Sequence, residues 1–197
     1  MARADREREI LDAAAEVFGT SGYAHTSVVA VARRADVSKP LVYDYFGSKD
    51  GLFIACVDRA GTNLVEHVAA VQEGTSLDRA LRTLGAIFEA LEPRRSDWRV
   101  LHDTTLPQGS PVLERALHHR RELFRLAAEG TQEVLAARGI TQRDEVDLTA
   151  RLWSSTVITT VDWWLDRPDV SPDEAVALCG DLLVAFAGQP SGSGRTT

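Results

Sequence analysis

The sequence has few cysteines and no long apolar run. Its 197 residues include only two cysteines, Cys56 and Cys179, which stand far apart and without a CxxC or Cys/His spacing. We therefore expect buried, reduced thiols rather than a disulfide or a metal site.

No apolar run in the sequence approaches the roughly 18 residues of a membrane span. The N-terminal segment mixes acids with bases and has no apolar stretch for secretion. These absences predict a cytoplasmic protein without membrane contact.

The sequence also lacks the motifs of common enzymes. It has no GxSxG, P-loop, HExxH or glycine-rich dinucleotide motif. The pairs His102–Asp103 and His118–His119 are adjacent in sequence, so the two side chains of each pair point to different sides of a helix. We therefore expect no catalytic residue, no cofactor and no metal. A helical enzyme without a familiar motif is the alternative.

Positive charge is scarce for a protein that binds nucleic acid. The formal net charge is −7, and residues 1–50 contain seven lysines and arginines against eight acids. Fields of exposed charges decay over about 8 Å at physiological salt, so the local arrangement of charges matters more than their total. The composition therefore allows DNA binding by a local basic surface, with modest non-specific affinity and a need for dimerisation.

No strand-like alternation occurs in the chain. Apolar residues instead recur at three- and four-residue spacing between serine caps, glycines and prolines. With 44% hydrophobic residues, the chain can bury a core. The pattern predicts an all-α protein of about nine helices. The last two span residues 141–167 and 171–187, and residues 190–197 form a flexible tail.

The segment from Ser27 to Lys49 contains two short helical patterns joined by a tight connection. Val31 and Ala32 precede the connection, and Val37 and Val42 follow it. The small alanine lets a second helix cross closely, and this second helix opens with a serine cap and a proline in its first turn. This is the pattern of a helix-turn-helix, whose second helix lies in the DNA major groove. A helical hairpin of the core is the alternative.

The residues around this segment resemble the tetracycline-repressor-like (TetR) family. The resemblance rests on ILDAAAEVF at 10–18, GY at 22–23, TS at 26–27 and SKPLVYDYFGSKDGLF at 38–53. Asp36 departs from the family, which usually has glycine in the turn, but Asp tolerates the left-handed conformation better than most residues. The resemblance implies a three-helix DNA-binding domain over residues 1–50 and a helical ligand-binding and dimerisation domain over residues 51–189.

The resemblance also implies which side chains face DNA. On the second helix of the motif these are Lys39, Pro40, Leu41, Tyr43, Asp44 and Tyr45. Ser38 caps that helix, and Thr26 or Ser27 caps the preceding one, whose free amides can hold a phosphate. Lys49 is also expected to face phosphates.

Chemistry supports some of these contacts more than others. Lysine can donate to a guanine edge or to a phosphate, and tyrosine hydroxyls suit phosphate oxygens. The carboxylate of Asp44 either accepts from a cytosine amino group or points aside. Aromatic packing is the alternative for the two tyrosines.

The two C-terminal helical patterns are apolar on more than one side. This surface suggests a partner, and the resemblance implies a homodimer through the last two helices, arranged as a four-helix bundle. A wider intramolecular core is the alternative. The dimer is expected to bind a pseudo-palindromic operator in double-stranded DNA.

An effector pocket is predicted from three aromatic residues. Trp98 and His102 are four residues apart and share one helical face, and Trp153 lies on the helix at 141–167. We predict that they bind a small-molecule effector, which His102 orients by a hydrogen bond; packing of the tryptophans in the core is the alternative. The predicted function is a repressor that the effector releases from its operator. A DNA-binding dimer without a ligand is the second interpretation.

Overall fold

The described residues, 2–73 and 76–187 of the computed structural model, form nine α-helices and one short 3-10 turn and contain no strand. The predicted all-α fold with an N-terminal helix-turn-helix is thereby confirmed. The helices are α1 Arg3–His25, α2 Val28–Arg34, α3 Lys39–Phe46, α4 Lys49–Ala69, α5 Ser76–Leu91, α6 Ser96–Leu101, α7 Pro111–Ala136, α8 Arg143–Leu165 and α9 Pro172–Ala187, and the 3-10 turn Glu92–Arg94 follows α5. The predicted tail at 190–197 lies outside the described residues, and the domain division at residue 50 stays a prediction.

Serine hydroxyls determine where several helices begin. The Oγ atoms of Ser27, Ser38, Ser48 and Ser110 each accept a hydrogen bond from the backbone amide three residues later. They cap α2, α3, α4 and α7, because the first amides of a helix have no partner within it. At α9, Ser171 and Glu174 exchange the two bonds of a capping box.

Three backbone positions near the helix-turn-helix have positive φ, namely Gly22, Asp36 and Gly47, the last directly after α3. Asp36 has a φ of 52°, so the aspartate occupies the left-handed turn that glycine fills in the family. Gly22 has a φ of 74° inside α1. Beyond the Gly22 kink the chain resumes helical geometry and continues to His25. Glycine makes this possible because it adopts positive φ without steric cost.

Helix α4 lies at the centre of the fold, between α1 and α7. Its buried Phe53 packs edge-on against Phe18 of α1, with ring centroids 5.0 Å apart. On the other side, Gly61 faces the imidazole of His119 from α7. A Cβ atom at Gly61 would lie 2.2 Å from Cγ of His119, so only glycine permits this crossing of the two helices. Close packing therefore explains the glycine inside α4.

Both thiols are buried and free. Burial raises the pKa of Cys56 to about 12. Among the described residues, no helix is long and apolar enough to cross a membrane. No group of three potential metal ligands occurs there either.

Candidate DNA-binding surface and ligand cavity

The helix-turn-helix is held by small apolar residues. Val31 and Ala32 of α2 and Val42 of α3 are buried, and Val37 in the turn is half-buried. The amide of Val37 donates to the carbonyl of Ala32 over 2.9 Å, which fixes the turn. With this inner face buried, the opposite face of α3 points away from the protein.

That outer face carries most of the residues predicted to contact DNA. Lys39, Pro40, Tyr43 and Asp44 are exposed, as are the two capping serines, Ser27 and Ser38, whereas Leu41, Tyr45 and Lys49 are half-buried. The ammonium of Lys39 lies 5.5 Å from the centroid of the Tyr43 ring. The two side chains therefore form one patch that combines a cation with a hydroxyl.

Further cations flank α3. The guanidinium of Arg3 lies 4.7 Å from the Tyr45 ring centroid, and the Tyr45 hydroxyl donates to the Arg3 carbonyl over 3.4 Å. On the other side, the Lys49 ammonium lies 4.2 Å from the ring of Tyr23. Several acids of α1 are meanwhile paired with arginines, in Arg6–Glu9, Arg8–Asp5 and Arg34–Glu16. Arg3, Lys39 and Lys49 thus supply positive charge around α3, next to the exposed carboxylate of Asp44.

Thr26 departs from the prediction. Its side chain is only 5% exposed, and its hydroxyl donates to the Gly22 carbonyl over 2.8 Å. Ser27 rather than Thr26 caps α2. Thr26 therefore closes the end of α1, where its hydroxyl is not placed to reach a phosphate.

A cavity of about 510 Å³ lies between α4, α5, α6, α7 and α8. Trp98, His102 and Trp153 all line it, so the structure brings the three predicted effector residues together.

The two other tryptophans of the chain lie outside the cavity. Trp164 is buried against Phe88 and beneath the guanidinium of Arg95, and Trp163 lies beneath Arg167. Both of these tryptophans pack against neighbouring side chains instead of lining the cavity.

His102 is neutral at the edge of the cavity. Its ring stacks on Trp98 with centroids 4.0 Å apart, and its Nδ1 lies 3.2 Å from the Trp98 carbonyl. Burial, together with the charge of Arg120, lowers the pKa of His102 to about 4. Because a carbonyl only accepts, the proton of the neutral ring sits on Nδ1, and Nε2 is left as an acceptor.

Three arginines line the same cavity and were missed from the sequence. They are Arg79, Arg120 and Arg138, and among the described lining residues there is no aspartate or glutamate. A signal for Arg120 was present in α7. Lining residues follow it at helical spacing, in the series Arg120, Leu123, Phe124, Ala127 and Thr131. An arginine at one end of a largely apolar helical face is a sequence pattern that suggests a cavity for a negatively charged ligand.

The cavity is connected to α1 through the loop after α6. The Arg120 guanidinium donates to the carbonyls of Leu101 and Asp103 over 2.7 and 3.1 Å. The Asp103 carboxylate accepts the amide of Tyr23 over 2.5 Å and that of Thr105 over 2.6 Å. Tyr23 follows the Gly22 kink, so the loop joins the cavity to the helix that supports the DNA-binding surface. The sequence carries no signal for this contact, which spans 80 residues.

Large apolar side chains are exposed on the last two helices. They are Leu148, Leu152 and Ile158 on α8, and Leu178, Leu182 and Val184 on α9. Their exposed fractions reach 60% at Leu152 and 51% at Leu182. An apolar surface of this kind commonly marks a site of protein–protein contact.

Comparisons with known proteins agree with these features. The family model for bacterial regulatory proteins of the tetR family matches residues 10–56. The chain is 35% identical over 103 residues to the HTH-type transcriptional activator FasR of Mycolicibacterium smegmatis, a match that covers 51% of this chain and 47% of FasR. It thus spans about half the length of that relative. The match to the HTH-type transcriptional regulator BetI 2 of Chromohalobacter salexigens is 28% over 150 residues, covering 68% and 72% of the two chains.

A solved structure extends the similarity to the whole fold. The crystal structure of a TetR-like transcriptional regulator from Rhodococcus sp. RHA1 superposes with a TM-score of 0.69 at 28% identity, covering 96% of this chain and all of that one. These proteins are named as transcriptional regulators and not as enzymes, as the sequence predicted for this chain.

Proposed function

Because the chain belongs to the tetR family of bacterial regulatory proteins, we propose that it is a homodimeric repressor whose operator binding is controlled by a small molecule. The observation that carries the proposal is the outer face of α3, where Lys39 and Tyr43 form an exposed polar patch within the segment that matches the family model. Its operator lies in double-stranded DNA, which places the regulator in the cytoplasm.

The DNA contacts divide into phosphate and base contacts. Lys49, Tyr43 and Tyr45 are suited to phosphates, together with the free amides at the starts of α2 and α3, which are capped by Ser27 and Ser38. The first turn of α3 presents its side chains to base edges. There Lys39 can donate to guanine, and Pro40 and Leu41 can contact thymine methyl groups. Asp44 either accepts from cytosine or points aside, and Thr26 contributes only to the fold.

Dimerisation follows from the exposed apolar side chains on α8 and α9. In a homodimer these helices pack against their copies as a four-helix bundle and remove the apolar surface from water. The two α3 helices then enter successive major grooves of a pseudo-palindromic operator, about 34–36 Å apart. Pairing also multiplies the modest affinity of a single, nearly neutral DNA-binding unit.

Effector control follows from the position of the cavity. A ligand held beside Trp98, His102 and Trp153 lies next to the loop whose Asp103 accepts the amide of Tyr23 in α1. A ligand that prefers a different position of this loop shifts α1, and with it the spacing of the two α3 helices. Operator affinity falls by the factor with which the ligand discriminates between the two conformations.

The test is a mobility-shift titration of the purified full-length protein with DNA from upstream of its own gene. We expect a saturable complex whose size corresponds to a protein dimer. A screen of diverse compounds by thermal shift then identifies ligands, and each ligand is added to the complex. Release of DNA supports effector control. A stable complex that no stabilising ligand affects favours the ligand-free regulator, and absence of any specific complex contradicts the proposal.

Activation is the second candidate, because FasR carries the name of a transcriptional activator. Transcription in vitro from the bound promoter separates the two. Repression is supported if the protein lowers transcript yield and a ligand restores it, whereas an activator raises the yield.

A further inference from the structure

We propose that the cavity binds an anionic amphiphile, an elongated apolar molecule with one acidic group that pairs with Arg120. This inference rests on the ligand-responsive function proposed above and names the chemical class of the ligand. It follows from the charge, lining and shape of the cavity.

The charge of the cavity is unbalanced. Arg79 is buried, but it is paired with Glu133 and hydrogen-bonded to Gln72, so its charge is offset. Arg120 differs, because it makes no salt bridge with any residue that the structure describes. Its Nε and one Nη donate to two backbone carbonyls instead. Burial lowers the pKa of Arg120, and the negative charge of nearby Asp103, which makes no salt bridge with it, offsets this effect only in part.

A bound acid provides the missing partner. An arginine and a carboxylate form short, charge-assisted hydrogen bonds, often two in parallel. The carbonyls of Leu101 and Asp103 already orient the guanidinium, so little conformational entropy is lost on binding. The adjacent His102 is neutral and adds no second charge beside Arg120. A cationic ligand is disfavoured because the described lining offers it no carboxylate.

Most of the remaining lining is apolar and selects the body of the ligand. Leu64, Ile87, Leu126 and Val157 contribute aliphatic surface from four different helices, and Phe124 and Trp153 contribute rings. Among the polar lining residues, Ser154 has an Oγ that is buried without a hydrogen-bond partner in the described structure. A buried hydroxyl with no partner costs free energy that a ligand oxygen can offset. An occupant of the cavity would thus provide a hydrogen-bond partner for Ser154 and a carboxylate for Arg120.

The cavity extends along α7. Its lining residues on this helix run from Arg120 to Leu135, which at the rise of an α-helix corresponds to about 22 Å. An elongated molecule with its acidic group at Arg120 can therefore place its apolar body along the same helix.

The experiment compares three probes with the same tail and different head groups: dodecanoate, dodecanol and dodecyltrimethylammonium. Each is titrated below its micelle concentration into the full-length protein, with calorimetry and tryptophan fluorescence as readouts, since Trp98 and Trp153 line the cavity. We expect dodecanoate to bind at least about tenfold more tightly than dodecanol, because hydrogen bonds to charged groups are the strong ones. The cationic probe should bind most weakly. Equal or tighter binding of dodecanol to the wild-type protein overturns the inference, and this comparison needs no variant.

Variants then locate the head group. Arg120→Gln should weaken dodecanoate binding about tenfold or more while changing dodecanol binding by less than about twofold. Arg121→Gln is the matched control, because Arg121 is the exposed neighbour on α7 and does not line the cavity. Ala127→Phe fills the cavity and should abolish binding of all three probes. Undiminished binding in Ala127→Phe means that the probes attach elsewhere, which also contradicts the inference.

Failure of the ligand class and failure of the proposed function give different results. If dodecanoate binds in the cavity through Arg120 but does not alter operator binding, the ligand class stands and effector control by it is refuted. If a neutral or cationic compound releases the operator while dodecanoate does not bind, effector control stands and the anionic class is wrong.

Discussion

Lys39 and Lys49 carry positive charge near the two ends of α3, but in different surroundings. Lys39 is exposed in the first turn of α3, beside Tyr43. Lys49 is half-buried at the start of α4, with its ammonium over the Tyr23 ring. The exposed lysine can therefore adapt to a base edge, whereas the lysine packed on the tyrosine offers its charge from a fixed position.

Replacing each lysine by alanine should separate base contact from phosphate contact. Lys49→Ala should weaken binding to all operator sequences and reduce the salt slope of the binding constant by about one unit. Lys39→Ala should lose about 1–3 kcal/mol at one base pair and less elsewhere. Fluorescence anisotropy with a set of single-substituted operators measures both effects. Arg125→Ala is the control. It removes one positive charge from an exposed position on α7, away from α3. Uniform weakening by Lys39→Ala would show that this lysine does not contact a base.

His102 should make stability depend on pH. Its pKa is about 4 in the folded protein, against an ordinary value of 6.5. Above pH 6.5 the ring is neutral in both states and has no effect. Between pH 6.5 and pH 4 the unfolded chain takes up a proton that the folded protein does not, so the free energy of unfolding decreases as pH falls. The loss from this group alone is about 3 kcal/mol across that window.

Urea unfolding of the wild type and of His102→Gln at pH 7 and pH 4.5 measures this contribution. The variant lacks the titrating group, so it should lose about 2–3 kcal/mol less than the wild type between the two pH values. Parallel losses in the two proteins would place His102 in water rather than against Trp98.

Local chemistry made much of the fold predictable. A serine cap, an aspartate with positive φ and a small alanine at a helix crossing each act within a few residues, so Ser38, Asp36 and Ala32 could be interpreted from their neighbours. Arg120 and Asp103 could not, because their partners are brought close only by tertiary packing. Trp153 was predictable only in part. The sequence predicted its helix, but whether its side chain faces the core or a cavity depends on helices far away in sequence.

The crossing of α4 and α7 is a close contact between two helices, which a single added atom would disturb. Gly61 has no room for a Cβ, which would lie 2.2 Å from His119 Cγ. His119 itself is buried and lies 3.0 Å from the Asp58 carboxylate. The imidazole therefore cannot retreat without losing this contact.

Gly61→Ala should destabilise the protein, because the helices must separate or His119 must leave its position. Overpacking of this kind costs about 1–3 kcal/mol, which exceeds the gain of up to about 1 kcal/mol in helix propensity. Gly85→Ala in α5 is the matched control. There the nearest atom, Cγ2 of Val176, would lie at an ordinary 3.6 Å, so propensity should dominate and stability should rise or stay equal. Chemical denaturation compares the two, and equal stability changes would contradict the packing argument.

At the scale of the molecule, the proposed assembly depends on surfaces that a single chain leaves exposed. Six large apolar side chains on α8 and α9 remain accessible, whereas α5 and α7 cover other parts of these helices. A dimer through this surface would make operator binding a property of the pair and not of either chain.

Leu182→Glu should therefore produce a folded monomer that no longer binds the operator. A charge buried in the interface without a partner is expensive, whereas at a free surface it is tolerated. Sedimentation reports the assembly state, and circular dichroism reports the retained helices. Leu117→Glu on α7 is the control, because Leu117 is an exposed leucine outside α8 and α9 and should leave the dimer intact. An unchanged dimer in Leu182→Glu would move the interface away from α9.

In the proposed effector control, helix α4 would connect the cavity with the DNA-binding surface. It runs unbroken for 21 residues, about 31 Å at the rise of an α-helix. Leu64 and Val68 near one end line the cavity, and Lys49 at the other end adjoins α3. Over that length a tilt of about 5° displaces the far end by about 3 Å. In the proposed dimer the displacements of the two chains add. The spacing between the two α3 helices then changes by about 5 Å, against a total of about 34–36 Å. A ligand in the cavity therefore needs to move α4 only on the ångström scale. The spacing of the two α3 helices then no longer matches the half-sites of the operator.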